Sequence, residues 1–249
     1  MQVAFIDNLE KMIEQNIDKA LLLSSTGTGK TYAAAFAMRH FGFNKVLFVV
    51  HRNQIAKQAM KSFCKVFGES VSMGMFSGTL NKKEIDRDYV FATIQTLSKD
   101  ENLCLFKQEH FEAIIYDEAH HVSAASYKKV MDYFKPQFTL GMTATPDKRD
   151  DYIEGRNIYE IFNHNIAYEI RLQQAMEEDL LCPFHYFGIT DLEWVDDTIG
   201  ENKNSTKEQK LEDFRYLTSD ERVDYVIRQA DYYGYSGDRV KGLIFCSRV

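Results

Sequence analysis

Short apolar runs recur along the first part of the chain, and stretches of mixed polarity separate them. Such runs have the length and apolar continuity of strands that are buried on both faces of a sheet. They predict strands at 20–24, 45–50, 71–76, 89–92, 113–116 and 138–142. Helical spacing, or a run of good helix formers, predicts helices over 2–16, 32–38, 53–67 and 123–134. Strands that alternate with helices favour an α/β fold, with a parallel β-sheet covered by helices on both faces.

The pattern becomes less regular in the last third of the chain. There we predict a polar stretch at 147–157, a helix near 169–178, a strand near 184–190, an acidic linker at 191–210, a helix at 207–233 and a buried strand at 242–248. This order predicts a first domain at 1–165, a connecting segment at 166–204 and the start of a second α/β domain at 205–249. We expect the second domain to be truncated, because no helix follows its first strand.

The most specific chemical feature is the loop Ser24–Thr31, with the sequence Ser-Ser-Thr-Gly-Thr-Gly-Lys-Thr. It lies between a predicted strand and a predicted helix, which is the context that a phosphate-binding loop requires. Its glycines let backbone N–H groups point at phosphate oxygens, and the helix N-terminus adds partial positive charge. Lys30 would reach the β- and γ-phosphates of ATP, and the Thr31 hydroxyl would bind Mg²⁺. Ser24 replaces the first glycine of the usual pattern, and the alternative interpretation is a glycine-rich turn without a ligand.

A second chemical feature is the tetrapeptide Asp117-Glu118-Ala119-His120, which follows a predicted buried strand. Alone, a pair of carboxylates at a strand end is usually a solvated turn. The carboxyl ends of parallel strands share one edge of a sheet, however, so this pair and the phosphate loop should lie together. Asp117 could then hold Mg²⁺ opposite Thr31, and Glu118 could polarise the water that attacks the γ-phosphate.

Composition narrows the class of protein. The apolar share of 45% and the charged share of 27% are ordinary for a globular protein, and no apolar run is long enough to cross a bilayer. The net charge of −7 argues against a broad basic surface for nucleic acid within this chain. The four cysteines are scattered, which favours reduced, mostly buried thiols in a cytoplasmic protein over a zinc site or disulfides. We expect His121 and the remaining histidines to be ordinary polar residues without a role.

The order of these motifs resembles that of the superfamily 2 (DEAD/DEAH-box) helicases and translocases. The phosphate loop, Asp117–His120 and Thr143-Ala144-Thr145 resemble motifs I, II and III. Further matches are Val49–Arg52 with Gln54 to motif Ia, Thr93–Leu97 to motif Ib, Leu243–Arg248 to motif IV, and Gln2 to the adenine-reading glutamine upstream of motif I. The closest branch is that of the motor subunits of type I and type III restriction enzymes. The resemblance implies a RecA-like P-loop NTPase domain followed by the start of a second one.

For ATP, the resemblance implies specific roles. The residues that would bind ATP are Gln2, Ser25, Thr26, Gly27, Thr28, Gly29, Lys30 and Thr31. Those that would act in catalysis are Lys30, Asp117, Glu118 and His120, with Thr31 and Asp117 as Mg²⁺ ligands.

For nucleic acid, the residues that would contact phosphates are Arg52, Ser77, Gly78, Thr93 and Gln95. Thr143 and Thr145, with His120, would link the nucleotide state to the neighbouring domain. Each of these has a plainer alternative: Arg52 could simply begin an exposed helix, and the two threonines could satisfy backbone groups at a strand end.

The function implied by the resemblance is ATP hydrolysis coupled to movement along DNA, in restriction or DNA repair, by a protein with flanking domains or subunits. An RNA helicase and an ATP-gated adaptor without motor activity are the alternatives; the histidine of the acidic motif disfavours a small-molecule kinase. Family members carry an arginine finger after motif IV, beyond the end of this chain. We therefore expect the chain alone to bind ATP and to hydrolyse it slowly.

Overall fold

The computed structural model describes residues 1–78, 84–122, 124–146, 157–188 and 220–234. Its strands are β1 (Lys19–Ser24), β2 (Val46–Val50), β3 (Met73–Phe76), β4 (Tyr89–Thr93), β5 (Ala113–Asp117), β6 (Phe138–Thr143) and β7 (Ile166–Ile170). Its α-helices are α1 (Gln2–Glu14), α2 (Lys30–His40), α3 (Asn53–Phe67), α4 (Ile94–Leu97), α5 (Asp100–Leu103), α6 (Ala125–Tyr133), α7 (Ile158–Ile161), α8 (Leu172–Glu177) and α9 (Asp220–Tyr233). A 3₁₀ turn spans Ala119–His121.

The strands form one seven-stranded sheet in the order β3-β4-β2-β5-β6-β1-β7, and every pairing is parallel. This confirms the predicted α/β class. Because all strands run the same way, the loops after β1, β5 and β6 meet at the same edge as those after β2, β3 and β4. One edge of the sheet therefore gathers almost every residue that the sequence marks for chemistry.

Both faces of the sheet are buried, as the continuous apolar runs predict. Alternate residues of a strand serve opposite faces: Leu22 packs with α1, α2 and α3, whereas Leu21 and Leu23 pack with α6 and α7. The alanines of α2 are fully buried, and their small size brings this helix close to the sheet. Gly141 in β6 serves the same purpose, because a β-carbon there would lie 2.6 Å from Cζ of Phe162.

The sequence prediction is wrong at the end of this sheet. Residues 166–170 form β7 and pair with β1, so the helix predicted at 169–178 begins only at Leu172. Residues 166–170, which the prediction assigns to the connecting segment, are thus the last strand of the sheet. Contacts within the chain divide it into Met1–Pro183 and Phe184–Val249.

Two further predictions concern the second unit. Residues 184–188 are not a strand, in contrast to the strand predicted at 184–190. The predicted helix at 207–233 is present over the described part as α9. The strand predicted at 242–248, with its motif IV residues, lies outside the described residues. Within this unit the ring of Phe187 stacks on that of Tyr233, with centroids 4.7 Å apart.

Candidate active site

The phosphate loop joins β1 to α2, as the sequence predicts. Gly27 and Gly29 have φ angles of +91° and +92°, a region in which any side chain would be strained. A β-carbon on Gly27 would also lie 3.1 Å from a methyl carbon of Leu181. A β-carbon on Gly29 would lie 3.7 Å from the side-chain amide nitrogen of Gln2. The glycines are thus needed for the loop's path, and Gln2 lies beside it.

Hydroxyl groups brace the loop from inside. The Thr28 hydroxyl donates to the carbonyl oxygen of Ser25 at 2.7 Å, and the Ser24 hydroxyl contacts Thr28 Oγ1. Since the proton of Thr28 is already used, Ser24 is the donor in that contact. Ser24, which replaces a glycine of the usual pattern, therefore adds a buried hydrogen bond to the loop.

Lys30 is tied to the same loop by its ammonium group. Its Nζ donates to the carbonyl oxygens of Ser24 at 2.7 Å and Ser25 at 3.1 Å. Burial lowers the pKa of Lys30, and the negative charges of Glu118 and Asp117 oppose that shift. The lysine is thus within electrostatic reach of the acidic motif, although β6 lies between their two strands.

The acidic motif begins at the last residue of β5. Asp117 pairs with Met142 of β6, and the next residue of β6, Thr143, pairs with Leu23 of β1. Burial raises the pKa of Asp117 to about 6, with a further contribution from the charge of Glu118. The N–H of Glu118 and the charge of Lys30 act in the opposite direction. A cation beside Asp117 would therefore stabilise its ionised form.

Glu118 stands in a strained turn. Its φ angle of +51° is left-handed, which costs a residue other than glycine about 1 kcal/mol or more. Its N–H donates to Asp117 Oδ1 at 3.1 Å, and its Oε2 lies 3.3 Å from Nδ1 of His120. The first contact orients the carboxylate of Asp117, and the second orients that of Glu118.

His120 joins the acidic motif to the end of β6. Its Nδ1 lies 2.9 Å from Oγ1 of Thr143, and both residues are buried. The N–H of Thr145 donates to the same hydroxyl oxygen at 3.2 Å, while the side chain of Thr145 is exposed. The structure thus brings His120, Thr143 and Thr145, the three predicted coupling residues, into one cluster of hydrogen bonds.

The residues predicted to contact nucleic acid follow β2, β3 and β4, on the other half of the edge. Arg52 and Gln95 are exposed, whereas Ser77 and Thr93 are buried. Thr93 Oγ1 donates to Thr96 Oγ1 at 3.0 Å, and the N–H of Gly78 donates to the same Thr96 oxygen at 2.9 Å. Thr93 and Gly78 therefore shape this half of the edge through Thr96, and the side chains of Arg52 and Gln95 face solvent.

Two histidines that we expected to have no role lie between the halves. Gln95 Nε2 is 3.0 Å from Nδ1 of His51, and the ring of His51 is 5.7 Å from that of His121, centroid to centroid. His121 in turn lies against His120, with centroids 4.1 Å apart. Sequence reasoning missed this contact because residues 51 and 121 follow different strands. Only the adjacency of β2 and β5 brings them together.

Comparison with known proteins gives the family. The family described as "Type III restriction enzyme, res subunit" matches residues 1–148, which is more than half of the chain. The chain belongs to this family. The predicted resemblance to superfamily 2 motor domains of the restriction-enzyme branch is thereby confirmed.

Two of the individual relatives are less than 30% identical to the chain. The type I restriction enzyme EcoAI endonuclease subunit of Escherichia coli is 27% identical over all of this chain and 32% of its own length. The putative ATP-dependent helicase IRC3 of Saccharomyces cerevisiae is 24% identical over 89% of the chain and 33% of its own length. The chain therefore spans about a third of the length of these relatives.

Among solved structures, a nuclease-deletion mutant of the type ISP restriction-modification enzyme LlaGI, in complex with a DNA substrate mimic, has the same fold. The TM-score is 0.54 and the identity 21%, over 72% of this chain and 20% of that one.

No helix within the described part of the chain has the length and apolarity to span a membrane.

Proposed function

We propose that this chain is the ATP-binding part of a motor that hydrolyses ATP and uses it to move along DNA. The observation that carries the proposal is the division of one sheet edge. Lys30, Asp117 and Glu118 lie on the half formed by β1, β6 and β5, and the exposed Arg52 and Gln95 lie on the half formed by β2 and β4. Family membership and the helicases and restriction enzymes among the relatives support the same activity.

The ATP half has suitable donors for the nucleotide. The loop from Ser25 to Thr31 would hold the phosphates, with Lys30 turning from the carbonyls of the loop to the β- and γ-phosphates. Gln2, beside Gly29, would contact the adenine. Glu118 would orient the attacking water, and its link to His120 fixes its carboxylate.

A divalent cation fits the same half. The described residues include no cluster of three or more His, Cys, Asp or Glu side chains that could hold a metal by themselves. Mg²⁺ keeps most of its water and binds through one or two protein groups plus substrate phosphates, so Thr31 and Asp117 are a sufficient protein contribution. When bound, Mg²⁺ would neutralise charge on the β- and γ-phosphates.

The nucleic-acid half would bind the backbone phosphates of the nucleic acid and not its bases. Arg52 and Gln95 would be direct contacts, with Ser77, Gly78 and Thr93 shaping the backbone behind them. A net charge of −7 makes a broad basic surface on this chain implausible, so we propose that flanking domains or subunits complete the track. The described cysteines, Cys64, Cys104 and Cys182, are free thiols, but they are exposed, so the prediction of mostly buried thiols is wrong for them. Free thiols suit a reducing compartment, and we propose a cytoplasmic location.

The test is Glu118→Gln in a single-turnover assay, with protein in excess over ATP and Mg²⁺. We expect the substitution to lower the hydrolysis rate about 10²-fold or more, because an amide cannot activate water. We expect the Kd for ATP to change by less than about threefold, since the phosphate loop is intact. Stimulation of wild-type hydrolysis by duplex DNA and by RNA, measured side by side, identifies the preferred nucleic acid.

Glu109→Gln is the matched control, because it makes the same charge change at an exposed residue ahead of β5, away from the carboxyl edge. It should hydrolyse ATP at the wild-type rate. Normal turnover by Glu118→Gln would refute the role of Glu118. A wild-type chain that binds neither ATP nor DNA would refute the proposed function as a whole.

A further inference from the structure

The two halves of the sheet edge are joined by a continuous set of side-chain contacts within the first unit. We call Gln95, His51, His121 and His120 the histidine path. It starts at Gln95, which follows β4 on the nucleic-acid half, and ends at His120, which contacts Glu118 on the ATP half. Each neighbouring pair along it is in ring contact or within 3.0 Å.

We propose that His51 and His121 are positioning residues through which nucleic acid on the β2–β4 half sets the orientation of Glu118 on the ATP half. This inference rests on the proposed function and deepens it. It assigns a coupling route that stays inside one RecA-like domain and needs no residue of a second domain.

The nucleic-acid end of the path is exposed and polar. Gln95 and His51 both face solvent, and Arg52, the neighbour of His51, begins α3 with an extended backbone. A phosphate that accepts a hydrogen bond from the Gln95 amide competes with the Gln95–His51 hydrogen bond. Binding there therefore acts directly on the position of the His51 ring.

The ATP end of the path is buried and constrained. His120 is 9% exposed, and its Nδ1 is shared between Thr143 Oγ1 at 2.9 Å and Glu118 Oε2 at 3.3 Å. The contact with His120 therefore helps to set the direction of the Glu118 carboxylate. A displacement of the His120 ring by its neighbour His121 changes which oxygen Nδ1 contacts.

The middle of the path determines how it can be tested. The ring of His121 lies beside the rings of both neighbours, with centroids 5.7 Å from His51 and 4.1 Å from His120. His51 contacts Gln95 through its Nδ1. Removal of the His121 ring, or of the His51 ring nitrogens, should therefore interrupt the path.

The experiment measures the step in which Glu118 acts. In the 249-residue chain, the single-turnover rate of ATP hydrolysis with Mg²⁺ is measured without and with saturating short duplex DNA. The ratio of the two rates is the coupling factor. For the wild type we expect a factor of about fivefold or more, since a well-positioned general base contributes on the order of 10²–10⁴-fold to such a step.

Variants of the path test whether it is responsible for this coupling. We expect His121→Ala and His51→Phe to bring the coupling factor within about twofold of one, with each ligand's separate Kd within about threefold of wild type. His51→Phe keeps a ring of similar size and removes its nitrogens, so a loss of the factor in this variant reports on the contact with Gln95. His40→Ala, which removes an exposed histidine on α2, is the matched control and should keep the wild-type factor.

Three results would overturn the inference: a coupling factor of one in the wild type, an undiminished factor in His121→Ala, or an undiminished factor in His51→Phe. The last would mean that the His51 ring merely fills space. A wild-type chain that binds both ligands without coupling refutes only the path. A chain that binds neither refutes the proposed function.

Discussion

At the scale of single residues, buried tyrosine hydroxyls differ in whether they have a hydrogen-bond partner among the described residues. The hydroxyl of Tyr116 is buried with no hydrogen-bond partner among the described residues, and so is that of Tyr127 on α6. Tyr89 is equally buried, but its hydroxyl donates to the carbonyl oxygen of Phe43 at 2.7 Å. An unsatisfied buried polar group costs about 1–3 kcal/mol, whereas a satisfied one contributes about 1 kcal/mol.

This contrast predicts opposite effects of the same substitution. Tyr116→Phe should leave the free energy of unfolding unchanged or raise it by about 1 kcal/mol, because it removes an unpaired hydroxyl. Tyr89→Phe should lower it by about 1 kcal/mol, because the carbonyl of Phe43 loses its donor. Urea denaturation of both variants measures the two values, and a Tyr116→Phe protein that is less stable than Tyr89→Phe would contradict the assignment.

Asp117 predicts a pH dependence of stability. Its pKa in the folded chain is about 6, above the ordinary value of 3.8. The folded state therefore binds the proton more tightly, and this contribution to stability is present below about pH 4 and is lost as the pH rises through 6. Asp117→Asn lacks it. The unfolding free energy of wild type minus that of Asp117→Asn should fall by about 2 kcal/mol between pH 4 and 7.

The difference removes the contribution of groups that do not interact with Asp117, because these titrate equally in both proteins. Measurements are made without nucleotide or divalent cation. A difference that is flat with pH, or that rises from pH 4 to 7, would show that the carboxyl group is not desolvated as the structure indicates.

At the scale of elements, β7 is the strand that the sequence pattern did not predict. It is five residues long, lies at the end of the sheet and is only partly buried, so it lacks the continuous apolar run of the inner strands. Two contacts that are remote in sequence hold it: its pairing with β1 and a hydrogen bond of 2.9 Å from Asn8 Nδ2 on α1 to the carbonyl oxygen of Ala167. Neither of these two contacts can be predicted from the local pattern of polar and apolar residues.

The pairing of β7 with β1 predicts which C-terminal truncations of the first unit still fold. A fragment of residues 1–183 keeps the whole sheet and should unfold cooperatively, as followed by circular dichroism. A fragment of residues 1–165 removes β7 and leaves the fully buried β1 as an unpaired edge, which favours aggregation. If the shorter fragment were monomeric and as stable as the longer one, β7 would not be part of the folding unit.

At the scale of the whole molecule, the parallel sheet brings the chemistry together. The phosphate loop and the acidic motif are far apart in sequence, and the residues after β2, β3 and β4 lie between them along the chain. In the sheet the order is different: β1, β6 and β5 are neighbours, and β2, β4 and β3 continue from them. The crossovers thus sort the residues into an ATP half and a nucleic-acid half, with the His51–His121 contact at the boundary.

The amino-acid sequence by itself determined the elements of the inner sheet and the class of chemistry. Continuous apolar runs mark strands buried on both faces, and a glycine loop with Lys30 between a strand and a helix is typical of a phosphate-binding loop. These signals are local, because spacing along one element is enough to produce them. The family resemblance rested on the order of the motifs and needed no structure.

The tertiary structure alone decided everything that depends on which strands are neighbours. It added β7 to the sheet, buried Ser77 and Thr93, and left Arg52 and Gln95 exposed. It also placed His51 and His121 between the two halves of the edge. From the sequence we expected both to be ordinary polar residues. The physical reason is that strand order follows from the crossovers and from packing on both faces, and no local pattern of polar and apolar residues encodes it.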